Sequence, residues 1–332
     1  MPYDAGVFAA AAVRIEQRRS KALAENEKTK RRLYEKIPRL AQIERELSAT
    51  GVRAAREILG GGTDAAARLA RLRSENLALQ AERVELLVEN RYSQDMLAVN
   101  YTCKKCRDTG YQDERICECL HAMLREEACK VANAGSALPL FTFDSFDLSY
   151  YPDTSDGKYD FNVHWHMEKV FTHCKNYAEH FKQAETSLLM LGKTGLGKTH
   201  LALSIANAVI EQGHGVIYDT AQNIFMRMED EYFGRSEKKY TFLVLDCDLL
   251  IIDELPDFAS SFAVNTLYNI INTRMLRGLP MIVSTNLTET ELEARYGERI
   301  FSRLIGQFTL LKFFGGDIRQ LRLRRRANGG AV

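Results

Sequence analysis

Gly192-Lys193-Thr194-Gly195-Leu196-Gly197-Lys198-Thr199 satisfies every position of the phosphate-binding pattern G-x-x-x-x-G-K-[ST]. The apolar run Ser187-Leu188-Leu189-Met190-Leu191 precedes it and reads as a buried strand, and His200 to Ile210 follows with helical apolar spacing. Strand, glycine loop and helix, in that order, is the context in which the pattern binds phosphate. The glycines let backbone N–H groups wrap phosphate oxygens, and the helix N-terminus adds the positive end of its dipole. The loop from Gly192 to Thr199 is therefore the expected cradle for ATP. Lys198 would reach the β and γ phosphates, and the Thr199 hydroxyl would ligate Mg²⁺.

Downstream, Leu249-Leu250-Ile251-Ile252-Asp253-Glu254 is an apolar strand ending in two acids, the form of a Walker B strand. Ligands of open parallel sheets bind at the carboxyl ends of the strands, where these acids emerge. Asp253 is expected to hold Mg²⁺ through water, and Glu254 to orient or deprotonate the attacking water. Met281-Ile282-Val283-Ser284-Thr285-Asn286 repeats the form with an amide at its end, which suits Asn286 to the γ-phosphate or the lytic water. Glu298 to Leu304 sets Arg299 and Arg303 four apart on one helical face, and Asp317-Ile318-Arg319 follows a strand-like apolar run. An arginine supplied by a neighbouring subunit stabilises charge on a transferring phosphoryl group. With a further strand at 215–219, the region from Phe141 onward alternates strands and helices and predicts an α/β fold with a parallel sheet.

At 332 residues the chain has room for two domains, and its 45 Lys+Arg against 44 Asp+Glu give no global pull toward nucleic acid or membrane. Charge is unevenly placed: the stretch from Arg14 to Arg45 is basic, and Arg319, Arg322, Arg324, Arg325 and Arg326 crowd the C-terminus. Such patches contact phosphate backbones or are simply solvated faces. No apolar run is long enough to span a membrane. The start of the chain lacks the basic region of a signal peptide. Seven cysteines beside an ATP site suit a reducing, cytoplasmic protein whose clustered thiols bind metal.

Residues 13–98 read as helical. Leu33, Ile37, Leu40, Ile43 and Leu47 form one stripe, with Pro38 in the first turn of a restarted helix. Gly60 to Asp64 reads as a turn, and a second stripe follows at Leu69, Leu72, Leu79, Leu86 and Leu87. The two predict an antiparallel hairpin or coiled coil, its stripes serving as core or as partner surface. Cys103-Lys104-Lys105-Cys106 and Cys117-Glu118-Cys119 give two thiol pairs for a tetrahedral Cys₄ Zn²⁺ site, with His121 close enough to replace one ligand. Asp108 to Tyr111 reads as the tight turn of a small hairpin between them. Cys129, Cys174 and Cys247 are isolated and expected to be buried thiols. The expected division is a helical partner-binding region at 1–98, a zinc module at 99–132, and an ATPase domain at 133–332 that begins with a linker at 133–139.

Phe143-Asp144-Ser145-Phe146, the loop 192–199 with His200-Leu201, Leu249 to Glu254, Ser284-Thr285-Asn286-Leu287, and Tyr296-Gly297-Glu298-Arg299 with Ser302-Arg303 together resemble the AAA+ ATPases of the DnaC/DnaI helicase-loader type. The IstB transposition helper ATPases are near relatives. The resemblance covers residues 141–325 and implies an AAA+ P-loop fold. It implies Arg303 as the arginine finger, with Arg299 the alternative, and Arg319 as the sensor 2 arginine. An ATP site completed between self-associating subunits follows from those roles. Residues 220–227 fall where such loaders carry an extra helical element facing single-stranded DNA. There Arg227, Tyr232 and Phe233 would supply a cation and stacking faces; the competing reading is helix core with a solvated arginine. Many relatives continue the acidic strand with Asp-Leu-Gly, whereas Glu254-Leu255-Pro256 stands here, which keeps a general base and alters the loop. The helices and cysteine module resemble, in architecture, the loader region that holds the replicative helicase.

The leading expectation is an ATP-dependent loader of a replicative DNA helicase that grips single-stranded DNA. The alternatives are an IstB-like helper of a DNA transposase, which would prefer duplex DNA, and a nucleotide-dependent scaffold with little turnover. Trp165 and Tyr177, ahead of the loop, are candidates for adenine contact.

Overall fold

The computed structural model describes residues 3–60, 65–134, 141–153, 160–181, 186–237 and 239–327. The turn expected after Gly60 and the linker from Gly135 onward lie outside the described residues. The chain divides into two compact units, residues 12–117 and residues 1–11 with 118–332.

The first unit is built on long helices: α1 (Ala5–Lys36) from Ala12 onward, α2 (Pro38–Gly60) and α3 (Ala65–Glu89). Pro38 opens α2, where its missing N–H breaks no intrahelical bond. Leu33, Ile37 and Leu40 are buried in one cluster with Leu87, so the first stripe is core here. The α2–α3 pair is an antiparallel hairpin, since Arg39 meets Glu82 while Thr50, further along α2, meets the earlier Asn76 of α3. Arg39 holds both carboxylate oxygens of Glu82, at 2.6 and 2.9 Å.

A two-stranded antiparallel hairpin follows, β1 (Tyr111–Gln112) with β2 (Arg115–Ile116). Its turn is Asp113-Glu114, both at positive φ, the conformation that matches strand twist in a two-residue loop. The hairpin thus turns after, and not within, the Asp108 to Tyr111 stretch expected from the sequence. Asp108 instead takes the Thr102 and Cys103 N–H groups on its carboxylate, both at 2.9 Å, and so shapes the first cysteine knuckle.

The second unit contains α4 (Glu118–Ala132), α5 (Val163–Glu179), β3 (Ser187–Leu191), α6 (Lys198–Glu211), β4 (Val216–Thr220), α7 (Ala221–Tyr232) and α8 (Tyr240–Asp246). It continues with β5 (Leu249–Leu255), α9 (Ser261–Leu276), β6 (Met281–Thr285), α10 (Glu289–Tyr296), α11 (Glu298–Gln307), β7 (Phe308–Lys312) and α12 (Ile318–Ala327). Side-chain caps mark the helix starts: Asn162 for α5, Thr220 for α7, Ser260 for α9, and a Thr288–Glu291 capping box for α10. The five strands form one parallel sheet in the order β4-β5-β6-β3-β7. This is an AAA+ P-loop fold. Strands β3 and β6 are buried along their whole length, which is why they read as continuous apolar runs. The order sets β3, β6 and β5 side by side, so that the phosphate loop, Asn286 and the two acids gather at the carboxyl ends of adjacent strands. Among the described residues no helix is long and apolar enough to cross a membrane.

Candidate nucleotide-binding site

The phosphate loop leaves β3 and enters α6 with Gly197 at its N-cap. Gly195 and Gly197 have φ of +79° and +90°, the left-handed region that glycine enters without steric cost. Space demands glycine as well: a Cβ at Gly195 would stand 2.3 Å from the Asp317 carboxylate, and one at Gly197 would stand 2.8 Å from the Tyr151 hydroxyl. The Ile318 N–H donates to the Gly195 carbonyl at 2.9 Å, fastening the start of α12 to the loop.

Lys198 is buried, and its ammonium donates to the Gly192 carbonyl at 2.5 Å, the Lys193 carbonyl at 2.9 Å and Asn286 Oδ1 at 2.6 Å. Burial lowers its pKa to about 8, against the opposing pull of Asp253 and Glu254. Asn286 completes the bridge by donating Nδ2 to Glu254 Oε1 at 2.8 Å. Asp253 is buried and accepts three hydroxyls: Ser284 at 2.6 Å, Thr199 at 2.9 Å and Tyr218 at 3.0 Å. The Thr199 hydroxyl and the Asp253 carboxylate thus lie side by side, a pair of hard oxygens suited to Mg²⁺. Glu254 is exposed toward the cavity at φ +58°, a conformation that costs a non-glycine residue of order 1 kcal/mol or more. The structure thus brings Lys198, Thr199, Asp253, Glu254 and Asn286 into one hydrogen-bonded cluster.

A cavity of about 400 Å³ opens beside this cluster. Its floor is residues 194–200, with Glu254, Ser284 and Asn286. Phe141, Ser145, Phe146, Asp147 and Tyr150 line one wall, and Ile318, Arg319, Arg322 and Leu323 of α12 line the other. Arg319 therefore faces the same space as Lys198. His200 Nε2 lies 3.0 Å from both the Thr142 carbonyl and Ser145 Oγ, which ties the first wall to the helix after the loop. Arg325 ties the second wall to the first, donating to Ser149 Oγ at 2.9 Å and to its carbonyl at 2.8 Å. Neither adenine candidate lines the cavity. Trp165 is exposed on α5 with Lys169 over its ring, and Tyr177 is buried in the core. The wall residues carried a partial signal, since Phe143 to Phe146 belongs to the recognised pattern. Tyr150 gave none, and Arg322 stood out only as one of the arginines crowding the C-terminus.

Arg303 lies outside the cavity lining. It donates to the Arg299 carbonyl at 3.0 Å and the Tyr268 hydroxyl at 3.1 Å, with its guanidinium over the Tyr268 ring. Arg299 is exposed on the same helix. On α7, Arg227 lies over the Tyr240 ring at 3.5 Å, with Asp219 at 3.6 Å, so it is stacked and paired within the chain. Tyr232 and Phe233 are 69% and 58% exposed and meet Phe262 edge-on and stacked, with Arg235 over Phe233. Phe262 and Arg235 were not legible as part of this patch.

The sulfurs of Cys103, Cys106, Cys117 and Cys119 all lie within 4.8 Å of one another, and Cys103 and Cys117 are 3.8 Å apart. Tetrahedral Zn²⁺ with bonds of about 2.3 Å sets its sulfurs about 3.8 Å apart, so the cluster fits that ion. His121 is not in this group; its ring meets Tyr3 edge-on. Cys129, Cys174 and Cys247 are buried, and burial pushes all three thiols up in pKa.

The family described as IstB-like ATP binding protein matches residues 154–320. The replicative helicase loader DnaC of Escherichia coli strain K12 is 31% identical over 133 residues, which are 39% of this chain and 54% of the relative. DnaC of Buchnera aphidicola subsp. Acyrthosiphon pisum is 30% identical over 159 residues, covering 46% of this chain and 65% of the relative. The chain thus spans about half to two thirds of the length of these relatives. Among solved structures, a crystal structure of the DnaC helicase loader aligns at 22% identity and a TM-score of 0.43, covering 50% of this chain and 99% of that one.

Proposed function

The chain belongs to the family of IstB-like ATP binding proteins, and on that premise we propose that it hydrolyses ATP to load a replicative helicase onto single-stranded DNA. The observation that carries the hydrolysis in this reading is the Lys198–Asn286–Glu254 bridge beside the Thr199–Asp253 pair, at the carboxyl ends of adjacent strands. Lys198 would exchange the Gly192 and Lys193 carbonyls for β- and γ-phosphate oxygens, and Arg319 would meet the same phosphates from α12. Thr199 and Asp253 would hold Mg²⁺, which when bound neutralises phosphate charge. Glu254 would orient the attacking water, with Asn286 holding the carboxylate in register with the γ-phosphate. Arg303, turned away from its own cavity, would complete the site of a neighbouring copy, so activity would depend on self-association.

Tyr232, Phe233 and Phe262 offer stacking faces for bases; Arg235 is the cation beside them and would leave its 3.0 Å pair with Asp230 to meet a phosphate. Residues 1–98 would hold the helicase, and the module at 99–132 would be fixed by Zn²⁺ on its four cysteines. The relatives named as helicase loaders support this reading over transposase partnership. The transposase helper raised by the sequence remains the second reading, because the matched family is that of IstB-like ATP binding proteins.

Affinity capture with the tagged full chain in ATP, with Lys198→Ala alongside, tests the choice. Recovery of a hexameric helicase by wild type and not by the variant is expected. Recovery of a transposase, with duplex DNA preferred over single strands, would overturn the loader reading.

A further inference from the structure

Ser284 of β6, two residues before Asn286, touches both acids of the site. It is buried, donates Oγ to Asp253 Oδ1 at 2.6 Å, and accepts the Glu254 N–H at 2.8 Å. A hydroxyl has one proton to give and lone pairs to receive, and here both are spent on adjacent residues of one strand. The second bond falls where the sheet is irregular. The register of β5 against β6 shifts between Ile252 and Leu255, and Glu254 stands within that shift at φ +58°. A buried backbone N–H displaced from its ladder needs another acceptor, and the Ser284 oxygen provides it. A left-handed non-glycine residue persists only where its surroundings hold it there.

We propose that Ser284 is the positioning residue for the water-activating carboxylate. Its oxygen holds the Glu254 backbone in the left-handed conformation that sends the side chain into the cavity, within 2.8 Å of the Asn286 amide. Without that oxygen the bulge can relax toward regular strand, which turns successive side chains to opposite faces and takes the Glu254 carboxylate off its mark. Asp253 keeps Thr199 and Tyr218 as partners in that event, and Lys198 keeps the loop carbonyls. The predicted defect is therefore in turnover and not in nucleotide capture. This inference rests on the hydrolysis reading above.

The test uses the full chain with single-stranded DNA, measuring steady-state hydrolysis, equilibrium binding of a fluorescent ATP analogue, and thermal melting. Ser284→Ala is expected to lower kcat roughly 10- to 100-fold, the scale of a misplaced catalytic group. KM and nucleotide Kd should stay within about twofold, the signature of an interaction used only in the transition state. Ser284→Thr keeps the hydroxyl and should recover most of the loss. Ser284→Cys, close in size but a weak donor and acceptor, should repeat the alanine defect and carries the test if alanine does not fold. Wild-type kcat in the alanine and cysteine variants would overturn the inference while leaving hydrolysis intact. So would a loss of Kd in step with kcat. A wild-type chain that binds ATP without turning it over would end both readings.

Discussion

In the helical unit, charged side chains find each other: Arg39 takes Glu82 and Arg83 takes Glu44 across the α2–α3 hairpin. At the carboxyl ends of the strands in the sheet-bearing unit the charges are held by weaker substitutes. Lys198 rests on two carbonyls and an amide, and Glu254 rests on the other end of that amide. A carboxylate–guanidinium pair is a finished interaction between solvated groups. A buried ammonium with only neutral partners is ready for an anion. The contrast separates a surface that holds a fold from one that awaits a ligand, and it can be attacked from either side.

The largest effect should come from the nucleotide-site side. Lys198→Ala should weaken ATP binding by roughly 100-fold or more, because it removes a charged donor from a water-poor site. Titration with a fluorescent nucleotide checks this, and near-normal affinity would mean that Lys198 belongs with the finished interactions. In the helical unit, fully buried Leu40 packs with Leu33, Ile37 and Leu87. Leu40→Ala should cost about 2–5 kcal/mol in that unit, with ATP affinity unchanged. Calorimetry beside nucleotide titration reads both, and a matching loss of ATP affinity would contradict the reading of Leu40 as packing within the helical unit alone. On the aromatic patch, Phe233→Ala should weaken single-stranded DNA binding by about 1–3 kcal/mol, the worth of one stacked base. Arg227→Ala should do less, since Arg227 is already spent on Tyr240 and Asp219.

The smallest effect is a pH dependence. In the free protein Lys198 loses its proton near pH 8, because burial disfavours the ammonium. Phosphate binding favours the ammonium and raises that pKa again. ATP binding above pH 8 therefore takes up a proton, and affinity should fall by up to about tenfold per pH unit there, with little change from pH 6 to 7.5. A flat affinity profile from pH 7 to 9 would show that Lys198 is not the group that meets the phosphates. The free fold carries the opposite sign: its cost of burying charged Lys198 is present below pH 8 and is relieved as pH rises through that value.

The same contrast explains what the sequence could say. The loop 192–199 was legible because its chemistry is contiguous and its flanks are strongly patterned. Asp253 and Asn286 were legible because a buried strand cannot end in a polar group without consequence. The helical stripe of Leu33, Ile37 and Leu40 was legible as a period, and its burial against Leu87 required the fold. Tyr218 was not, since a tyrosine within a strand looks like packing until Asp253, 35 residues on, is found at its hydroxyl. The places of Tyr150 and Arg322 in the cavity wall escaped for the same reason, because its walls come from segments far apart in the sequence. The hairpin turn fell at Asp113-Glu114 because Asp108-Thr109-Gly110 was already engaged in the cysteine knuckle.

One measurement goes to the centre of the account, which is that a complete hydrolytic site needs Glu254 of one copy and Arg303 of the next. Glu254→Gln and Arg303→Ala would each be assayed alone for DNA-stimulated hydrolysis, and then mixed. Each alone should be inactive while still binding ATP, and the mixture should regain activity, because a Glu254→Gln copy lends its Arg303 to a neighbour whose Glu254 is intact. A mixture as inactive as its parts, or an Arg303→Ala chain that hydrolyses normally by itself, would contradict the account.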